Sequence, residues 1–318
     1  MKIVFMFSGQ GAQYYHMGAK LYGSNEIFRE QMDVMDRALM SRLGYSVLGS
    51  MYAPERRKSE CFDHTILSSL GIFMVQRALS ETLAHYGCYP DRVLGVSMGV
   101  FGAVCATGVA SHQEMLEAVI RYGEVLEHSC IEGKMCAILA PAALYSDNPE
   151  LAERSEIAAI NSESHFVIAL PRAAAGEIEA FLAKQKVAYQ RMPVSRAYHS
   201  RWIDPARQEF LVALEPVSYL QSRIPVSLCW TESSMSFVST EALWDAIRQP
   251  IRFREAVLDI EQEEPHHYVD VGTSGTLATL LKYVLPAGSP SRVHSIVTPL
   301  GQCDRNLESV LLALDRSG

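Results

Sequence analysis

Hydrophobic and polar positions along this chain follow two periods in alternation. Short apolar runs of strand type occur at Ile3–Phe7, Val93–Val96, Met135–Leu139, Ile157–Ile160, Phe166–Leu170, Pro225–Cys229 and Tyr268–Val271. Between them, apolar residues recur at helical spacing over Ile27–Met40, Ile66–Tyr86, Gly99–Ala106, Gln113–His128, Ala174–Gln185, Pro205–Leu214, Arg254–Glu261, Gly275–Tyr283 and Asn306–Leu314. This alternation predicts an α/β protein with a mostly parallel sheet. One segment breaks the rhythm. Residues 133–197 run strand, strand, strand, helix, strand, which predicts a compact α+β insert of ferredoxin-like pattern. The expected organisation is therefore a large subdomain over 1–132 and 198–318, interrupted by a small subdomain over 133–197.

Composition narrows the class. With 318 residues, 48% hydrophobic and 20% charged, the chain reads as a globular protein able to bury a sizeable core. No apolar run reaches the roughly 18–20 residues of a membrane span, so no membrane partner is expected. The start, MKIVFMFSGQG, breaks at Gly9 without a small-residue cleavage site and reads as a buried strand rather than a signal peptide. Seven cysteines with no CxxC pair predict reduced thiols in a cytoplasmic protein, without a zinc cluster or other metal.

A net charge of −8 argues against nucleic acid as a partner. The basic residues are nonetheless uneven: Lys184, Lys186, Arg191, Arg196 and Arg201 fall in a stretch with no acid. That stretch is either a solvated basic face or a landing patch for an anionic partner.

The chemistry centres on LGVSMG. Gly95-Val96-Ser97-Met98-Gly99 follows a strand and precedes a helical segment, the setting of a nucleophile elbow. Its glycines permit a tight turn that lifts the serine hydroxyl off the sheet, with a helix N-terminus beneath it. A serine hydroxyl needs a base to take its proton. Of ten histidines, His16, His85, His112 and His128 lie in helical or surface-like contexts, and His266 and His267 precede a strand. His199, in VSRAYHSRW, sits at an element boundary suited to presenting an imidazole into a cleft. Spacing alone does not choose it.

Six pieces, FMFSGQGAQYYHMG, VLGVSMGVFGAVCATG, GKMCAIL, IAAINSESHFVIAL, VSRAYHSRWID and VDVGTSGTLATLL, together resemble the malonyl-CoA:acyl-carrier-protein transacylases and polyketide-synthase acyltransferases, in order and approximate spacing. The resemblance covers essentially the whole chain. It implies an α/β-hydrolase-like large domain with an inserted small ferredoxin-like subdomain. It further implies Ser97 as the acyl-accepting nucleophile, His199 as its base, and the backbone N–H groups of Gln10 and Met98 as the oxyanion hole. A backbone carbonyl, not a carboxylate, would orient the histidine. No cofactor is implied beyond the phosphopantetheine carried by an acyl carrier protein, the expected partner, with acyl-CoA as an alternative donor. Arg191, Arg196 and Arg201 become candidates for docking that carrier protein.

Three departures from the family pattern bear on substrate. Val96 precedes the serine where histidine is usual, and Val100 stands where glutamate is usual. Tyr122, before Gly123, occupies the place of the arginine that pairs with a malonyl carboxylate, with Arg121 one residue earlier. One residue on a helix is a rotation of about 100°, so Arg121 points elsewhere unless the helix shifts. Tyrosine cannot make a bidentate charge-assisted clamp, and losing the clamp costs malonyl binding about 2–4 kcal/mol. Tyr122, Val96 and Val100 are therefore expected to line a pocket for uncharged acyl groups. With these departures the chain looks like the trans-acting acyl hydrolases of polyketide pathways, which clear acyl groups from carrier proteins. The rival readings are transfer of a non-malonyl acyl group between carriers, a non-catalytic carrier-docking homologue, and an unrelated esterase.

Overall fold

The computed structural model describes residues 1–231 and 234–315. Among these residues, nine strands form two sheets. Strands β1 (Lys2–Phe7), β2 (Arg92–Gly95), β7 (Val226–Ser227), β8 (His266–Asp270) and β9 (Arg292–Ser295) make a parallel sheet in the order β7-β2-β1-β8-β9. The second sheet is antiparallel, with β3 (Gly133–Ile138), β4 (Glu156–Ser162), β5 (His165–Pro171) and β6 (Tyr189–Arg191) in the order β4-β5-β3-β6. The architecture is mixed α/β, as the sequence pattern predicts.

The central strands β1 and β2 are buried along nearly their whole length, which explains their continuous apolar runs. Helix Thr65–His85 packs against helix Gly99–Ala106, which lies on these strands, and is itself mostly buried; it is the source of the buried hydroxyls Thr65, Ser68 and Ser69. In the small sheet the side chains alternate as a pleat requires. Cys136 and Ile138 of β3 join Phe166, Ile168 and Leu170 of β5 in a separate core closed by Leu151, Ile178 and Leu182. Met135, Ala137 and Val167 project the other way, toward the large sheet and its cleft.

The order of elements in the insert differs from the expected one. Two short helices, Ala143–Ser146 and Pro149–Arg154, stand between β3 and β4, giving strand, helices, strand, strand, helix, strand. That sequence with the order β6-β3-β5-β4 is the split β-α-β pattern of ferredoxin-like sheets. Neither helix is long enough to display a 3.6-residue period. β9 also escapes the pattern, because RVHS has no apolar run. The segment read as one helix over Pro205–Leu214 is a 3-10 turn, Arg201–Ala206, leading into helix Arg207–Ala213; Pro205 cannot donate to the helical ladder. No helix among the described residues is long and apolar enough to cross a membrane.

Candidate active site

Strand β2 ends at Gly95, and helix Gly99–Ala106 begins four residues later. Between them Ser97 adopts a φ of 54°, in the left-handed region that a side chain rarely occupies. The turn is so tight that a Cβ on Gly99 would lie 2.1 Å from the Phe7 carbonyl oxygen, and one on Gly9 would lie 2.7 Å from the Ser97 Cβ. Only glycine fits at either place. Strain of this kind persists where the surroundings over-determine it, and it clusters at functional sites.

His199 meets this serine from across the chain. Its Nε2 lies 2.7 Å from Ser97 Oγ, and its Nδ1 donates to the Gln249 carbonyl oxygen at 2.7 Å. With the Nδ1 proton committed to that carbonyl, the Nε2 lone pair faces the hydroxyl. His199 also has a left-handed backbone, φ 57°, fixed by its N–H bonding to Ile247 O at 3.1 Å. The ring is 1% exposed, and burial pushes its pKa from 6.5 down to about 4, with the Arg248 charge adding to the fall and the Gln249 bond opposing it. The imidazole is therefore neutral at physiological pH and free to accept a proton. Gln249 is itself held near the small sheet, since Ile251 N donates to Ala158 O at 2.8 Å.

The turn after β1 completes the arrangement. Glycines flank Gln10, and neither the Gln10 nor the Met98 backbone N–H has a hydrogen-bond partner among the described residues. The Gln13 side chain braces the turn. It accepts from Gly11 N at 2.7 Å and donates to Phe62 O at 2.9 Å and Pro193 O at 2.6 Å. From the far side, Asp270 at the end of β8 accepts from Gly272 N and Ala278 N, both at 2.9 Å, and orders the loop that brings Leu277 to the cleft. Asp270 is fully buried, and desolvation raises its pKa to about 6 against the pull of these backbone bonds. The VDVGTSG motif thus acts here through a buried carboxylate that sequence reasoning did not single out.

A cavity of about 520 Å³ opens over Ser97 and His199, between the ends of β1 and β2 and the outer face of the small sheet. Val96 lines it, as expected. Tyr122 and Val100 do not. Val100 sits in the first turn of its helix, where its atoms pack against Gly95, and it is wholly buried. Tyr122 is also wholly buried and lies behind the cavity wall, its hydroxyl donating to Gln10 Oε1 at 3.2 Å. Arg121, about 100° round the helix, is exposed and pairs with Glu117 at 2.8 Å and Glu124 at 3.4 Å. Helix His112–Ser129 is regular through this region, so no register shift returns Arg121 to the cleft. Neither Lys nor Arg lines the cavity among the described residues. Asn161 and His165, which sequence reasoning passed over, do line it. Asn161 was legible only as a polar residue closing an otherwise apolar strand. No group of three or more potential metal ligands occurs among the described residues.

The three candidate docking arginines have different surroundings. Arg191 makes a bidentate pair with Glu179, and Arg201 pairs with Glu156 at 2.6 Å while stacking over Trp202. Arg196 turns inward instead. It donates to Leu126 O at 3.0 Å and Glu127 O at 3.3 Å, satisfying carbonyls at the C-terminal end of helix His112–Ser129. It therefore belongs to the fold, and the expected three-arginine patch does not form: Arg191 on β6 and Arg201, bonded to Glu156 of β4, lie at opposite edges of the small sheet as two separate exposed cations.

The family profile described as "Acyl transferase domain" matches residues 4–315. This chain belongs to the acyl transferase domain family. The domain is similar to "Polyketide biosynthesis acyltransferase homolog PksD" of Bacillus subtilis (strain 168), 39% identical over 308 residues that cover 97% of this chain and 95% of that protein. It is likewise similar to the homolog BaeD of Bacillus velezensis (strain DSM 23117 / BGSC 10A6 / LMG 26770 / FZB42), with the same 39% identity, 97% of this chain and 95% of the relative. Among solved structures, a loading acyltransferase from the avermectin modular polyketide synthase superposes with a TM-score of 0.87 at 22% identity, covering 98% of this chain and 99% of that one. The structure of MCAT from Streptococcus pneumoniae gives 0.79 at 22% identity, over 98% of this chain and all of that one. These superpositions place the domain in the acyltransferase fold, with its two sheets.

Proposed function

We propose that this acyl transferase domain is a serine-dependent enzyme of polyketide biosynthesis that hydrolyses non-malonyl acyl thioesters of acyl carrier proteins. The observation that carries the reading is that neither Lys nor Arg lines the cavity among the described residues: Tyr122 is buried behind Gln10 and Arg121 is paired at the surface. A malonyl carboxylate placed there would be partly desolvated with no partner. An uncharged acyl chain incurs no such penalty against Met135, Ala137 and Val167. The relatives named for polyketide biosynthesis support the pathway.

In this mechanism Ser97 Oγ attacks the thioester carbonyl while His199 Nε2 takes its proton. The Gln10 and Met98 N–H groups receive the developing oxyanion. Collapse expels the phosphopantetheine thiol, which regains its proton from His199 and leaves an acyl ester on Ser97. Water then adds to the ester, again losing its proton to His199, and the carboxylic acid departs with Ser97 restored. No cofactor is required. The second reading, favoured by the word acyltransferase in the relatives' names, replaces water with a second carrier thiol.

Intact-mass analysis after incubation with acetyl-, hexanoyl- and malonyl-carrier proteins tests both. Acetyl and hexanoyl adducts that form on Ser97 and decay in buffer are the expected result. Adducts that persist until a second carrier protein is added would replace hydrolysis with transfer. Equal loading by malonyl would overturn the substrate assignment.

A further inference from the structure

Behind the turn that carries Gln10 lies a set of buried polar groups the mechanism above does not use. Gln10 Nε2 donates to Ser69 Oγ at 2.8 Å, with Ser68 Oγ and the Thr65 carbonyl each 3.4 Å away. Its other end, Oε1, accepts from the Tyr122 hydroxyl at 3.2 Å. Both ends of one side-chain amide are thus held by groups that are themselves buried in helices Thr65–His85 and His112–Ser129. The Tyr122 ring lies between Phe101 at 5.5 Å and Tyr198 at 6.4 Å, so its hydroxyl has little freedom to swing away. The Tyr198 hydroxyl faces the polar groups of Thr65, Tyr122 and Gln10, and Tyr198 is the residue before His199. Burial keeps both phenols protonated and able to donate.

The backbone around Gln10 is held at two points, Gly11 N bonding to Gln13 Oε1 at 2.7 Å and Ala12 N to Gly9 O at 3.4 Å. Gly9 and Gly11 flank it, and Gly11 holds a φ of 102° open to glycine alone. Glycines allow close approach but resist rotation less than other residues, so these two bonds leave the side chain of Gln10 to complete the aim of its N–H. An oxyanion donor has to be aimed before the charge develops, because reorientation during the reaction adds to the barrier.

We propose that Tyr122 is a positioning residue: its hydroxyl, together with Ser69, clamps the Gln10 side chain so that the Gln10 backbone N–H is aimed at the carbonyl oxygen on Ser97. A neutral phenol thereby holds the oxyanion turn from the position where the resemblance expects a substrate-binding cation. The inference rests on Ser97 forming an acyl enzyme, and it is indifferent to whether water or a thiol removes the acyl group.

The test is pre-steady-state acylation of the full chain by S-acetyl-pantetheine, followed by intact mass, for wild type, Tyr122→Phe, Ser69→Ala and the double variant. Removing an oxyanion donor outright lowers kcat by about 10²–10³, so misaiming one lowers the acylation rate constant by about tenfold or more. Tyr122→Phe and Ser69→Ala each show that loss with KM changed less than about twofold. The double variant is no slower than about the worse single, because both act through one amide. Ser69→Thr, which keeps the hydroxyl, retains most of the rate. A Tyr122→Phe rate within twofold of wild type, a loss confined to KM, or single losses that multiply in the double variant would each overturn the positioning role. Should Tyr122→Phe fold poorly, the Ser69→Ala and Ser69→Thr pair decides alone: equal rates for those two overturn it. A wild-type protein that never acylates on Ser97 would overturn the functional reading, and this inference with it.

Discussion

His199 Nε2 lies 2.7 Å from Ser97 Oγ, and the two residues share a left-handed backbone at φ 57° and 54°. Two strained turns from distant parts of the chain therefore converge on one hydrogen bond. Ser97→Ala is expected to abolish acyl-enzyme formation, with circular dichroism and Tm close to wild type, because only one oxygen is removed. His199→Ala is expected to slow acylation by roughly 10²–10⁴, the scale of a lost general base. Turnover surviving in folded Ser97→Ala would transfer the nucleophile to another residue.

The lowered pKa of His199 gives the pH profile a sign. The base works only when neutral, so the acylation rate is expected to be flat above about pH 5 and to fall with one proton as pH drops through about 4. Stability follows the same proton. The folded ring titrates at about 4 and the unfolded one at 6.5, so between these values the unfolded chain binds more protons. The contribution is present above pH 6.5 and is lost as pH falls toward 4. His294, also lowered to about 4 by burial, acts in the same direction. Asp270 opposes both, since its raised folded value of about 6 favours the folded state as pH falls through 6 toward 3.8. A rate midpoint near 6.5 would mean that the imidazole is solvated when it works.

Asp270 also offers a test of how the cleft is held. Its two oxygens separately accept from Gly272 N and Ala278 N, and asparagine can accept at only one. Asp270→Asn should leave a buried N–H unpaired and lower stability by about 1–3 kcal/mol. The check is urea unfolding, read as a lower midpoint with an unchanged slope. KM for acyl-pantetheine should rise as well, since Leu277 on the loop it orders lines the cavity.

The strand–glycine–serine–glycine–helix signal at Ser97 was legible because turn sterics leave few other sequences able to make it. The parallel sheet was legible through the continuous apolar runs of β1 and β2. His199 could be named only through resemblance. Its orienting partner, the Gln249 carbonyl, is backbone and carries no side-chain signature. The sequence pattern singles out Tyr122 but does not show its neighbours, Gln10 rather than the cavity. Periodicity says that a residue is buried, and only packing says whether it faces a cavity or the back of Gln10. Arg196 shows the same limit, since nothing in the sequence separates a cation facing solvent from one closing a helix end.

Docking of a carrier protein is expected to use Arg191 and Arg201, whose side chains stay about half or more exposed beside Glu179 and Glu156. The double variant Arg191→Glu, Arg201→Glu should slow capture of acyl-carrier protein while sparing S-acetyl-pantetheine, and wild-type capture should weaken as salt rises. Arg196→Ala should instead lower Tm, with both substrates affected alike. Equal losses on both substrates in the double variant would make these two arginines structural as well.

Substrate choice is the sharpest consequence of the Tyr122 environment. With no Lys or Arg at the cavity among the described residues, acetyl- and longer saturated acyl-carrier proteins are expected to exceed malonyl by at least about tenfold in kcat/KM, roughly 1.4 kcal/mol. Tyr122→Arg places a guanidinium behind Gln10. It removes the phenol that holds the amide, so rates should fall for every substrate. The ratio is the informative quantity, because a buried cation without a partner is costly and a malonyl carboxylate reaching it would supply that partner. The acetyl-to-malonyl ratio should therefore shrink or invert in Tyr122→Arg even as both rates drop. A wild-type preference for malonyl would require a cation that reaches the cleft from outside its present lining. An unchanged ratio in folded Tyr122→Arg would mean that Gln10 shields position 122 from the acyl group altogether.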